Sequence, residues 1–173
     1  MNDGINMLGH KNLIIIGART DKEKLTAFNL LPGWFKKAKT KNLCITCAKY
    51  DGIVVHMGEW LEGKFCKGCW ASGTWHNGTF EGGMWSNGIW HNGFFNGQDW
   101  LKGTWHNGIW SGAWWDEGVW YNGIWKGGYW KKGVWINGVW EKGMWADGLF
   151  VQGKNKEGKK IIGFSNENQP ILV

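Results

Sequence analysis

The chain has 173 residues, of which 43% are hydrophobic and 20% charged, and its formal net charge is +6. That is one domain's length with a globular composition, which excludes a disordered polymer, and no run of about 18 apolar residues exists to form a spanning helix. The opening Met1-Asn2-Asp3-Gly4 has no charged segment leading into an apolar run, and Leu13 to Ile16 is too short for a signal peptide, so secretion by that route is not expected.

In chain order, Asn12 to Gly17 predicts a short buried strand, because a β-branched run ends at glycine. Thr20-Asp21-Lys22-Glu23 has the spacing of a capping box, and Leu25, Phe28 and Leu31 form an apolar face before Pro32-Gly33, so a short helix is expected at about 20 to 30. Residues 1–42 thus read as a small α/β cap, the non-repeating closure that an end-exposed repeat array needs. From Leu43 apolar pairs two apart recur every five residues (Leu43 and Ile45, Ala48 and Tyr50, Ile53 and Val55), so the repeat is expected to begin there and to run to about 153.

The repeat becomes strict at Trp60. Nineteen aromatic residues occupy every fifth position from Trp60 to Phe150, and a glycine stands two positions before each, from Gly58 to Gly148, except at Gln98 and Ala113. A fixed short period marks an architecture in which each unit packs only on its neighbours. Within a short strand, residues two apart point the same way, so the aromatics are expected to face inward and form the core. Facing outward they would be ladders for stacking on bases or sugars, at the cost of a large exposed apolar surface. An inward indole N–H needs an acceptor, and the carbonyls at the corners are the available ones.

This unit resembles that of the pentapeptide-repeat proteins, with glycine in place of the usual small residue and tryptophan in place of the central leucine or phenylalanine. The resemblance covers roughly 110 residues and implies an all-β, right-handed β-solenoid, four-sided, with about 20 residues per coil. A three-sided coil of fifteen is the alternative. Asn77, Asn92, Asn107, Asn122 and Asn137 recur at that interval, as do His76, His91 and His106, and Phe65, Phe80 and Phe95. Three tryptophans per layer read as overpacked, which favours four sides.

Cys44-Ile45-Thr46-Cys47 and Cys66-Lys67-Gly68-Cys69 hold every cysteine of the chain. Two such pairs match a structural four-thiolate zinc site on Cys44, Cys47, Cys66 and Cys69, and a 20-residue coil would bring the pairs one strand apart. Two disulfides or four unpaired thiols are the alternatives. Four ligands leave no position for a catalytic water. His56 is isolated, and the recurring histidines have no nucleophile at matching spacing. A non-enzyme is expected.

Two surfaces remain as candidates. Ile109, Trp114, Val119, Ile124, Tyr129, Val134, Val139, Met144 and Leu149 precede nine successive aromatics with no polar residue among them, more apolar surface than a solvated sheet carries alone. They are the expected docking stripe for another protein subunit or for a second copy. Between Trp60 and Phe150 seven lysines (64, 67, 102, 126, 131, 132, 142) balance seven acids (62, 81, 99, 116, 117, 141, 147), so the excess charge sits at the flanks, on Lys36, Lys37, Lys39 and Lys41 and on Lys154, Lys156, Lys159 and Lys160. Basic ends suit an acidic partner, with nucleic acid as one case. Residues 154–173 form a basic segment and an apolar tail expected to pack over the open end of the last coil or to insert into a neighbour.

The function expected is a non-enzymatic structural or adaptor protein of a large assembly. Trp-rich repeats of this kind resemble those of uncharacterised tailed-phage proteins, which implies a virion component, located in the virion or the cytoplasm, with no membrane or small-molecule partner. A nucleic-acid-binding module built on the zinc site and the lysines is the alternative. A DNA-mimicking regulator is disfavoured, because a neutral repeat lacks rows of acids.

Overall fold

The computed structural model describes residues 7, 9–47 and 52–173. The pairs Ala48-Tyr50 of the weak early repeat therefore lie outside the described residues. The N-terminal part comprises β1 (His10–Lys11), β2 (Ile14–Ile15), α1 (Asp21–Asn29), α2 (Gly33–Lys36), β3 (Lys39–Cys47) and β4 (Ile53–Glu62). Helix α1 starts as its sequence requires: the Thr20 side chain accepts the Glu23 N–H while the Glu23 carboxylate accepts the Thr20 N–H. Helix α2 was hidden by Pro32-Gly33, read as a stop; Pro32 stands instead as the N-cap of a single turn.

Eighteen strands of two or three residues follow, from Lys64–Phe65 to Leu149–Phe150, and the chain ends in β5 (Gly153–Asn155), β6 (Lys160–Phe164) and β7 (Pro170–Leu172). Each short strand up to Val139–Trp140 pairs in parallel with the one fifteen residues on, as Ile89 with Thr104 and Trp110 with Trp125. The protein is a β-solenoid whose coil contains three five-residue units, so the expected 20-residue, four-unit coil does not form. The aromatics fall into three columns: one from Trp60 through Trp75 to Phe150, one from Phe65 through Phe80 to Trp140, one from Trp70 through Trp85 to Trp145.

The overpacking that argued against fifteen residues is relieved by ring geometry. Within a column, rings stack nearly parallel, 4.8 Å and 4° apart for Trp75 and Trp90 and 5.0 Å and 6° for Trp110 and Trp125. Between columns they meet edge to face, at 5.6 Å and 76° for Trp110 and Trp115. Both are favoured arrangements, each contributing about 0.5–1.5 kcal/mol beyond area burial, and the stacking distance equals the natural strand spacing. Every repeat aromatic from Trp60 to Trp140 is at most 1% exposed. The inward orientation expected from alternation is therefore what the chain adopts.

The indole N–H groups use the corner carbonyls in part. Trp105, Trp110, Trp120, Trp130 and Trp135 each donate to the carbonyl seventeen residues on, at 3.0–3.1 Å. Nine other buried indole N–H groups, Trp60 and Trp90 among them, have no acceptor in reach.

The glycine two before each aromatic does more than make room for a ring. Gly123 has φ +126° and a Cβ there would lie 2.5 Å from the carbonyl oxygen of Gly108, in the coil below. The glycine thus supplies both a left-handed corner and close coil-to-coil approach. At Gln98 and Ala113 the corner is made without positive φ. There the need for glycine moves back one residue: a Cβ at Gly97 would meet the Phe95 ring at 2.6 Å, and one at Gly112 the Trp110 ring at 2.8 Å.

The two ends are closed differently. The parallel ladder begins at Ile53, ten residues later than expected, because β3 runs antiparallel to β4, which itself starts two columns at once through Val55–Trp70 and Trp60–Trp75. An antiparallel strand also places residues two apart on one face, so the apolar phase at Leu43 and Ile45 could not distinguish it from a repeat unit. Phe35 covers Trp60 and Trp34 covers Phe65, each edge to face. At the far end only the Phe65 column continues: β5 adds to it in parallel, through Val139 with Lys154, and β6 and β7 follow as antiparallel strands. Phe164 of β6 stacks on Trp145 at 4.7 Å and Ile161 is fully buried, so β6 packs over the last coil, whereas Ile171, Leu172 and Val173 stay 41–69% exposed.

Candidate functional site

The fifteen-residue coil decides where each candidate residue lies. Cys44 stands opposite Met57 and Cys47 opposite Ile53, while Val54 pairs with Cys69 on the other side of β4. Strand β4 therefore separates the first cysteine pair from Cys69 by two strand spacings, about 10 Å. Cys66 follows Phe65 on a different column, beside Lys64 and Glu81. All four cysteines are free, and no group of three or more metal-ligating side chains gathers among the described residues. The close approach of the pairs rested on a 20-residue coil and does not occur on one of fifteen. Burial raises the thiol pKa of Cys47, and raises that of Cys66 against the lowering effect of Lys64. Titration of the purified protein with a thiol reagent should find four reactive cysteines per chain; stoichiometric zinc with protected thiols would require the chain to close across β4 instead.

The nine apolar candidates split over three faces, because each successive unit turns a corner. Val119, Val134 and Leu149 share the Trp60 column, Ile109, Ile124 and Val139 the Phe65 column, and Trp114, Tyr129 and Met144 the Trp70 column. Six are half-buried by their neighbours; Trp114, Met144 and Leu149 are 50–59% exposed. The Trp114 ring packs against Tyr129 at 5.0 Å, tilted 57°. This is a set of local patches, and no single stripe runs the length of the solenoid.

The lysines do lie at the two ends. At the N-terminal end Lys39 pairs with Glu62 at 2.7 Å, Lys41 with Glu59 at 2.9 Å, and Lys36 donates to the Asn29 carbonyl. At the C-terminal end Lys156 reaches Glu157 at 3.7 Å. The first group is largely balanced locally, the second much less so.

The fifteen-residue period also builds ladders. His76, His91 and His106 stack at 5.0–5.3 Å, with Tyr121 continuing the row and Glu59 bonded to His76 at its head. Asn122 donates to Asn107 along a corner whose Asn122 and Asn137 carbonyls take indole N–H bonds. Burial, then the neighbouring His106 and His76, push the His91 pKa down; burial does the same for His10, stacked on Phe35 beside Thr40. Histidines held neutral in the fold take up protons on unfolding, so stability should fall as pH drops below roughly 6.5, the ordinary imidazole value. Denaturant midpoints measured from pH 7 to pH 5 should decline, and less so in His91→Gln.

One feature had no signal in the sequence. A cavity of about 560 Å³ lies between α1 and strands β2 to β4, lined by Ile15, Ala27, Leu31, Thr46, Cys47 and Ile53 among others. It arises because the helix face stands off the sheet, with Leu30 80% exposed at its rim, and helix periodicity alone does not reveal such a gap.

Fold and surface together define a β-solenoid of five-residue units with an aromatic core and a small α/β cap. Comparison with known protein families, with curated proteins and with solved structures returns no match.

Proposed function

We propose that the protein is a non-catalytic structural or adaptor subunit of a larger assembly, and that it docks through local outer patches and its C-terminal end. The observation that carries this reading is apolar surface left outside a filled core. Trp114 and, toward the C-terminal end, Met144, Leu149, Val151 and Val173 are 50–69% exposed, and exposed apolar patches mark docking sites. The likeness of the repeat to Trp-rich sequences of tailed phages makes a virion the assembly proposed. Nucleic acid is the less favoured partner, since Lys39 and Lys41 are already paired with carboxylates.

Tagged protein purified from its native source should co-sediment with a particle far larger than the 19.7 kDa chain. A Trp114→Ser, Tyr129→Ser variant, folded by circular dichroism, should be released from it. Recovery of the chain alone, or with nucleic acid lost at high salt, would overturn the reading.

A further inference from the structure

The two ends of the solenoid treat the strand edges of the sixteen-stranded sheet in opposite ways. At the N-terminal end the edge of β4 is covered along its length by β3, whose outer side is in turn paired with β1 and β2. At the C-terminal end two columns stop uncovered, at Met144–Trp145 and at Leu149–Phe150, the two termini of the sixteen-stranded sheet. Through the repeat, each aromatic carbonyl accepts the N–H sixteen residues on, ending with Ala146 on Trp130 and Val151 on Trp135. Among the described residues, the carbonyls of Trp145 and Phe150, and of Gly143 and Gly148 beside them, accept nothing.

A second free edge lies at the same end. Strand β7 pairs only with β6, closes the nine-stranded sheet, and exposes Ile171, Leu172 and Val173 at 43%, 41% and 69%. Tied to the Phe65 column through β6 and β5, it does not pair with the two open columns of its own chain. A second copy satisfies both needs reciprocally, which is the self-complementarity of a two-fold interface.

We infer that two copies associate through their C-terminal ends, β7 of each adding as a strand to the open edge at Leu149–Phe150 of the other, beside the second open edge at Met144–Trp145. Charge supports the pairing. Lys154, Lys159 and Lys160 flank the β5–β7 strands and Glu141 and Asp147 flank the open edge, and none of the five has an ion-pair partner within its own chain among the described residues. Pairing of strand edges supplies backbone hydrogen bonds, and alternate side chains supply apolar contact. The inference deepens the scaffold reading and rests on it for its setting, not for its geometry.

Light scattering of the full chain at tens of micromolar should give twice the 19.7 kDa chain mass. Met144→Lys with Leu149→Lys, and separately removal of 170–173, should give monomers with unchanged circular dichroism. Ile89→Lys, on a mid-solenoid strand paired on both sides, should stay dimeric. A monomeric wild type, or a dimer indifferent to both edge changes, overturns the inference. A monomer that still enters the large particle overturns the dimer while leaving the scaffold reading intact; a dimer that enters no particle does the reverse. Loss of particle binding by the edge variant of a monomeric chain assigns the edge to a different polypeptide and also overturns the second copy.

Discussion

Replacing Trp110 by alanine should cost about 3–5 kcal/mol, a fall in Tm on the order of 6–20 °C for a chain of this size. Trp110 lies at mid-solenoid with no exposure; it stacks on Phe95 at 4.5 Å and Trp125 at 5.0 Å, and meets Trp115 and Trp105 edge to face. Its removal leaves a void whose walls are backbone ladders that cannot collapse inward, so the cavity contribution should be near its upper range. The indole N–H bond to the Gly127 carbonyl is lost as well. Trp110→Phe keeps a ring in a column that already holds Phe65, Phe80 and Phe95, and should lose far less. Thermal and denaturant unfolding of both variants against wild type measures the contrast; equal losses would mean that ring stacking is not what holds the coils.

The second large effect should separate two neighbouring glycines. At Gly123 an alanine Cβ would press on the Gly108 carbonyl, which accepts the Ile124 N–H at 2.9 Å, and its φ of +126° is a strained region for any L-residue. Gly123→Ala should therefore cost about 1–3 kcal/mol from strain alone, and more as the coil is pushed off its neighbour. Four residues on, Gly127 has ordinary φ and its Cβ would first meet the flexible end of Lys142 at 3.4 Å. Gly127→Ala should fall within about 0.5 kcal/mol of wild type. Denaturant midpoints of the pair test whether the glycine period reflects corner geometry; a mild effect at Gly123 would show that coils can separate more easily than their hydrogen bonds suggest.

The inward core, the capping box of α1 and the terminal packing of Phe164 were legible because each rests on local chemistry: alternation, an N-cap spacing, an apolar run. The coil length was legible too, in Asn77 to Asn137 and His76 to His106, but volume reasoning outweighed it. Three indoles lying flat in one plane would overfill a fifteen-residue coil, whereas edge-to-face contacts let three rings share a narrow core. The cysteine geometry failed with the coil length, since one more or fewer unit per coil changes which strand lies between Cys47 and Cys69. The nine apolar residues from Ile109 to Leu149 do not line up on one face for a related reason: successive units belong to successive faces, and only every third shares one. The antiparallel β3 was illegible because side-chain alternation is the same for either strand direction.

The aromatic columns also have an optical consequence. Fifteen tryptophans between Trp60 and Trp145 form stacks with neighbours about 5 Å apart and nearly parallel, joined across columns by near-perpendicular contacts. At such separations the indole transition dipoles couple, and an excitation absorbed by one ring passes to others before it is emitted. Because ring planes of neighbouring columns cross at 72–76°, transfer between columns should depolarise the emission although the rings themselves are locked. Steady-state anisotropy should therefore be low, as if chromophores fixed in a rigid body were tumbling.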